Sequence, residues 1–168
     1  MTDPQSRTFI APCLLDRLTL DPSEGYDQGR GSAGMSPVKY RQAVLRDLQY
    51  LLNSKAHPVG DDIGAFKEIL GSVYNYGMRD VCGLTISEFR ASEVETEVLR
   101  AIRCFEQRID GDSLSVEVES SGTEGERMMI SIEIKGKLWV QSSREDFPVH
   151  LEMDIETGHY AVRDRVNG

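Results

Sequence analysis

Cysteine is scarce in this chain. Its three copies, Cys13, Cys82 and Cys104, lie far apart with no Cys-x-x-Cys spacing, which excludes a disulfide framework or a zinc ribbon. Only His57, His150 and His159 are present, and none lies four residues from another, so neither a metal nor any other cofactor is expected. Aromatic residues make up 7% and are not interleaved with basic ones as in an RNA-binding sheet. No apolar run approaches the roughly 18 residues that a membrane span needs. The start, Met1-Thr2-Asp3-Pro4, lacks the basic-then-apolar order of a secretion signal, so a cytoplasmic protein without direct membrane insertion is expected. Positive charge is also in deficit. Nineteen Lys and Arg face 28 Asp and Glu, a net −9 that repels nucleic acid and anionic lipid.

What is present suits a soluble globular protein. The 168 residues are 39% apolar and 28% charged, enough for one domain with a proper core. Residues 1–35 read as a flexible arm, with Pro4, Pro12, Pro22 and the glycines from Gly25 to Gly34 as breakers. Inside it sits one apolar piece, Leu14-Leu15-Asp16-Arg17-Leu18. Its leucines form an anchor that can pack on its own domain or on a neighbour.

Residues 36–168 read as the folded domain. Ser36-Pro37 is an N-cap followed by proline at the first helical position. Val38, Val44, Leu45, Leu48, Leu51 and Leu52 then recur at helical spacing. A shorter helix is expected from Asp62, burying Phe66, Ile69, Leu70 and Val73 and stopping at Gly77, and Leu84 to Phe89 add a single turn. The best-formed helix signal runs from Ser92 to Phe105. Ser92 and Glu95 have capping-box spacing, and Val94, Val98, Ala101, Ile102 and Phe105 form the stripe. Glu93, Glu97 and Arg100 are assigned to solvent.

Beyond Leu114 the period becomes two. Leu114, Val116 and Val118 share a face, and so do Met128, Ile130, Ile132, Ile134, Leu138 and Val140, in a long strand bending at Gly136. Val149, Leu151, Met153 and Ile155 alternate, and Glu156-Thr157-Gly158 turns the chain into a last strand with Tyr160 and Val162 inward. Residues 120–126 and 142–146 read as loops. The expected fold is α+β, with N-terminal helices on one face of a four-stranded antiparallel sheet.

Few motifs carry chemistry. Gly111-Asp112-Ser113-Leu114 spells an esterase signature, yet Ser113 follows a helix and precedes a strand, the reverse of a nucleophile turn. No spacing selects a carboxylate pair. The acidic loop 122–126 precedes a strand, whereas a phosphate cradle needs a helix N-terminus. No catalytic residue is assigned. Glu106-Gln107-Arg108, at the helix-to-sheet junction, remains. On physics alone it is a helix-end ion pair worth about 0–1 kcal/mol, or a rigid pair of opposite charges ready for bidentate bonds to another chain.

Four stretches, in order, resemble the TssE subunit of the bacterial type VI secretion baseplate, a relative of the once "lysozyme-like" wedge proteins of contractile phage tails. They are Leu14-Leu15-Asp16-Arg17-Leu18; Leu45-Arg46-Asp47-Leu48 through Lys55; Ser72 through Asp80; and Phe105-Glu106-Gln107-Arg108-Ile109. The close of the last hairpin, Leu151 to Gly158, is similar as well. The resemblance implies a structural, non-enzymatic protein at the inner face of the inner membrane. Glu106, Gln107 and Arg108 would dock on TssF- and TssG-like wedge subunits, and the sheet would start the TssB/TssC-like sheath, with a TssK-like subunit as a further partner. Gln107 and Arg79 stand where the family has proline. A murein hydrolase and a regulatory adaptor of the same fold are the alternatives.

Overall fold

The structure, a computed structural model, describes residues 10–19, 35–57, 67–79, 90–119, 123–124, 127–140 and 143–163. Its helices are α1 (Leu14–Thr19), α2 (Pro37–Asn53), α3 (Lys67–Leu70) and α4 (Ala91–Phe105), with a 3-10 turn at Val73–Asn75. Its strands are β1 (Ser115–Glu119), β2 (Thr123–Glu124), β3 (Arg127–Lys135), β4 (Lys137–Val140), β5 (Ser143–Asp146), β6 (Val149–Asp154) and β7 (His159–Val162).

The main sheet is antiparallel, in the order β1-β3-β6-β7, with β2 paired to the start of β3. Register stacks the apolar residues in rows. Val118, Ile132, Leu151 and Val162 form one row, Val116, Ile134 and Val149 a second, and Ile130, Met153 and Tyr160 a third. This face packs against α2 and α4, which bring Val44, Leu48, Leu51, Leu52, Val98, Ala101 and Ile102 into one core with it. Burying each of these valine, leucine and isoleucine side chains contributes about 1.5–3 kcal/mol. The fold is therefore the expected α+β layer. Among the described residues no helix is long and apolar enough to cross a membrane.

Local details differ from the sequence reading. The long strand divides at Gly136, where a side chain would press on Ile109 at 3.0 Å. Beyond it β4 leaves the sheet, pairs with β5 as a separate ribbon, and takes a bridge from Ile109 on its other side. Residues 143–146 and 123–124 are thus strand rather than loop, because the chain reverses tightly enough to pair. Helix α4 begins one residue early, with Arg90 at the cap position and no side-chain capping bond. Ser92 is already helical, so its hydroxyl cannot cap. Val38 is 67% exposed, since it lies six residues before Val44, about one-third of a turn around the helix from it. Val73 is exposed because the helix stops at Leu70 and a 3-10 turn follows. Asp62, Phe66, Cys82 and the turn at 84–89 lie outside the described residues.

Candidate docking site

Helix α4 ends as the Glu106 amide bonds the Ile102 carbonyl at 2.8 Å. The Ile109 amide then reaches the Glu106 carbonyl at 3.2 Å, closing a turn with Gln107 and Arg108 at its centre. The turn folds Arg108 back over Glu106. The Glu106 carboxylate is buried and accepts from the Arg108 backbone N–H (3.1 Å) and from Nε (2.7 Å) through one oxygen, and from Nη2 through the other. Such a fork fixes both side chains. Gln107, the middle residue, is exposed.

The Arg108 guanidinium has a second partner, Asp47 of α2, at 2.7 Å from Nη2. Asp47 accepts in turn from Arg46 at 2.7 Å, and Arg46 reaches Asp16 of α1 at 2.8 Å. The Cys13 thiol donates to the other Asp16 oxygen at 3.0 Å. An alternating chain of charge, Glu106–Arg108–Asp47–Arg46–Asp16, therefore joins three helices. Burial disfavours the Arg108 charge, but Glu106 and Asp47 outweigh it and raise the pKa above its ordinary value. Burial also opposes ionisation of Asp16, and the bonds from Cys13 and Arg46 still carry its pKa below the ordinary carboxylate value.

Three members of this chain of charge, Glu106, Arg108 and Asp47, line a surface groove of about 250 Å³. Leu15, Tyr50, Tyr76 and Phe105 line its walls, and the last two rings meet edge to face at 5.2 Å. Helix α1 turns Asp16 inward, while Leu14, Leu15 and Leu18 are 69%, 54% and 75% exposed. A polar residue fastens the short helix, and its three leucines face outward beside the groove. Arg108 Nη1 makes no bond to a described residue, so one donor of the fork remains for a partner.

The structure thus brings Glu106, Arg108 and Leu15 together at one groove, with Leu14 and Leu18 beside it. Sequence reasoning missed Asp47 as the third member, although the signal was present. Asp47 lies three residues after Val44 and four before Leu51, both buried, so an acid stands on the apolar stripe itself. Glu97 is the same case. It was assigned to solvent, yet it is 6% exposed, because it shares the stripe of Val94 and Ala101. Arg100 at 2.7 Å and Arg79 at 3.3 Å pair with it there.

The esterase-like Ser113 is engaged in the turn. Its hydroxyl donates to the Asp110 carbonyl and accepts from the Lys137 amide, each at 2.8 Å. No group of His, Cys, Asp and Glu among the described residues could hold a metal ion. The groove combines apolar walls, an arginine donor and fixed carboxylates. A family model described as baseplate wedge protein gp25 matches residues 38–143, more than half of the chain. No curated protein and no solved structure matches it.

Proposed function

Since the chain belongs to the gp25 baseplate-wedge family, which includes TssE and whose role is structural, we propose that it is the adaptor between wedge and sheath in a type VI secretion baseplate. It has no catalytic task in this reading. The groove over Glu106, Arg108 and Asp47 takes a helical element of TssF- and TssG-like wedge subunits, and the outward leucines of α1 add apolar contact beside it. The sheet side meets the first TssB/TssC-like sheath ring, and a TssK-like subunit lies nearby at the cytoplasmic face of the inner membrane.

The observation that carries this reading is the pre-paired Glu106–Arg108 fork, pinned by Asp47 beneath an apolar-walled groove. A fork already ordered in the free protein loses little side-chain entropy on binding. Replacing Gln107 by the family's proline is not required for this rigidity, because the side-chain bonds supply it.

Co-purification with the TssF- and TssG-like subunits tests the proposal. Glu106→Ala together with Arg108→Ala removes both partners and leaves no buried charge unpaired within the fork. The expected result is unchanged circular dichroism with wedge binding at least tenfold weaker, the loss of about 1.4 kcal/mol or more. Equal recovery of the complex by the folded double variant would sink the docking role.

A further inference from the structure

Helix α1 has only six residues, yet it supplies part of the groove. Cys13, just before it, and Leu15 lie on the lining together with Asp47, Glu106 and Arg108. A helix this short is not stable by its own backbone bonds, so its place depends on what holds it. The polar hold is Asp16, which is 4% exposed. It takes Arg46 at 2.8 Å and the Cys13 thiol at 3.0 Å.

Every inner member of the chain of charge is divided between two neighbours. Arg46 serves Asp16 and Asp47, with Nη2 in both contacts. Asp47 gives Oδ1 to Arg46 and Oδ2 to Arg108, and Arg108 serves Asp47 and Glu106 through Nη2. In such a chain a change at one end shifts the balance at the next link. When Asp16 leaves, the whole Arg46 charge falls on Asp47, and the hold of Asp47 on Arg108 weakens. The Arg108 charge also acts back on Asp16, helping to keep its carboxyl ionised against burial.

We infer that α1 is a strap coupled to the groove: its docking sets the hold on Arg108, and a partner seated in the groove keeps the strap down. The first half follows from the shared bonds. The second follows from the lining, because a partner resting on Leu15 and Arg108 touches both elements at once. The two halves are one coupling free energy, read from either side. Asp16 is thus a positioning residue, acting on Arg108 through Arg46 and Asp47. The inference rests on the proposed wedge contact for the identity of the partner, whereas the coupling of Asp16 to Arg108 is a property of the free protein.

Two measurements test it, both on the full-length protein. The first follows exchange of the Arg108 Nε–H with water by NMR, without any partner. Asp16→Ala should speed it about three- to tenfold. In an Asp47→Ala background the same change should have less than about a twofold effect, because the link to Arg108 is already cut. Arg163→Ala, which breaks the exposed pair with Glu152 at 2.8 Å, should leave it unchanged. The second measurement adds the TssF- and TssG-like subunits. Asp16→Ala should weaken the complex about three- to tenfold, and the bound wedge should slow protease cleavage within residues 10–19 by a similar factor. The inference is overturned if Asp16→Ala leaves the Arg108 Nε–H unmoved, or moves it equally with and without Asp47. A complex that is lost in the Glu106→Ala, Arg108→Ala variant but leaves cleavage of α1 unchanged would overturn it too. Where that double variant binds as well as the native protein, the wedge reading fails by itself, and the Nε–H response alone decides the coupling.

Discussion

Glu97 illustrates what one ionisable side chain can hold together. It accepts from Arg100 and Arg79, and Arg100 also donates to the Gly77 carbonyl at 3.1 Å. Burial alone would raise its pKa. The two arginines overcome that and place it below the ordinary 4.5. The folded pKa is thus depressed relative to the unfolded one. The contribution to stability is complete above about pH 4.5 and is lost as pH falls through the folded value. Asp16, lowered from 3.8, adds to the same acid limb at lower pH. Urea midpoints between pH 7 and pH 3 should fall steeply for the native sequence. For Glu97→Gln the fall should be shallower, and the protein should already be weaker at pH 7 by about 1–2 kcal/mol. Parallel curves for the two proteins would remove Glu97 as a source of the acid limb.

Among the elements, α2 does the most to organise the fold. Arg41 holds the Asp146 and Pro148 carbonyls beside the ribbon, Asp47 holds Arg108 in the turn after α4, and Asn53 holds β7. Past its C-terminus, residues 54–56 run extended against Met78. The Met78 amide bonds the Ser54 carbonyl, and the Ala56 amide bonds the Met78 carbonyl, each at 2.8 Å. That pairing depends on Gly77, whose φ of 115° is in the left-handed region and whose missing side chain would overlap the Ser54 carbonyl oxygen. Gly77→Ala should therefore cost about 2–4 kcal/mol in chemical denaturation. Gly71→Ala, where a side chain meets nothing within 4 Å, should change stability by less than about 0.5 kcal/mol. Equal effects at the two glycines would contradict the close approach at Ser54.

On the scale of the whole molecule, α1 is fastened in two ways. Ile10 and Met35 are buried together, with the Met35 amide on the Ile10 carbonyl at 2.8 Å, and Asp16 is tied to Arg46. Asp16→Ala removes the polar tie alone. The expected outcome is protease cleavage within residues 10–19 several-fold faster than in the native protein. The main unfolding transition should move by only a few degrees, because the sheet and its two cover helices are untouched. An unaltered cleavage rate would show that the apolar pair suffices to hold α1.

By itself the sequence determined α2, most of α4, the parity of β1, β3, β6 and β7 and the layering of helices on one face. Each rests on periodicity within a dozen neighbouring residues, and apolar side chains need only be buried, not met by a named partner. The tertiary structure decided where the charges and the open edges ended up. Asp47 meets Arg108 across 61 residues, Glu97 meets Arg79 across 18, and Asn53 meets Tyr160 across 107. An acid on an apolar stripe is stable only when an arginine arrives from elsewhere, and a strand edge is closed only when a side chain reaches it. Directional bonds of that kind depend on which distant segments the fold brings within hydrogen-bonding distance, and no local pattern encodes that.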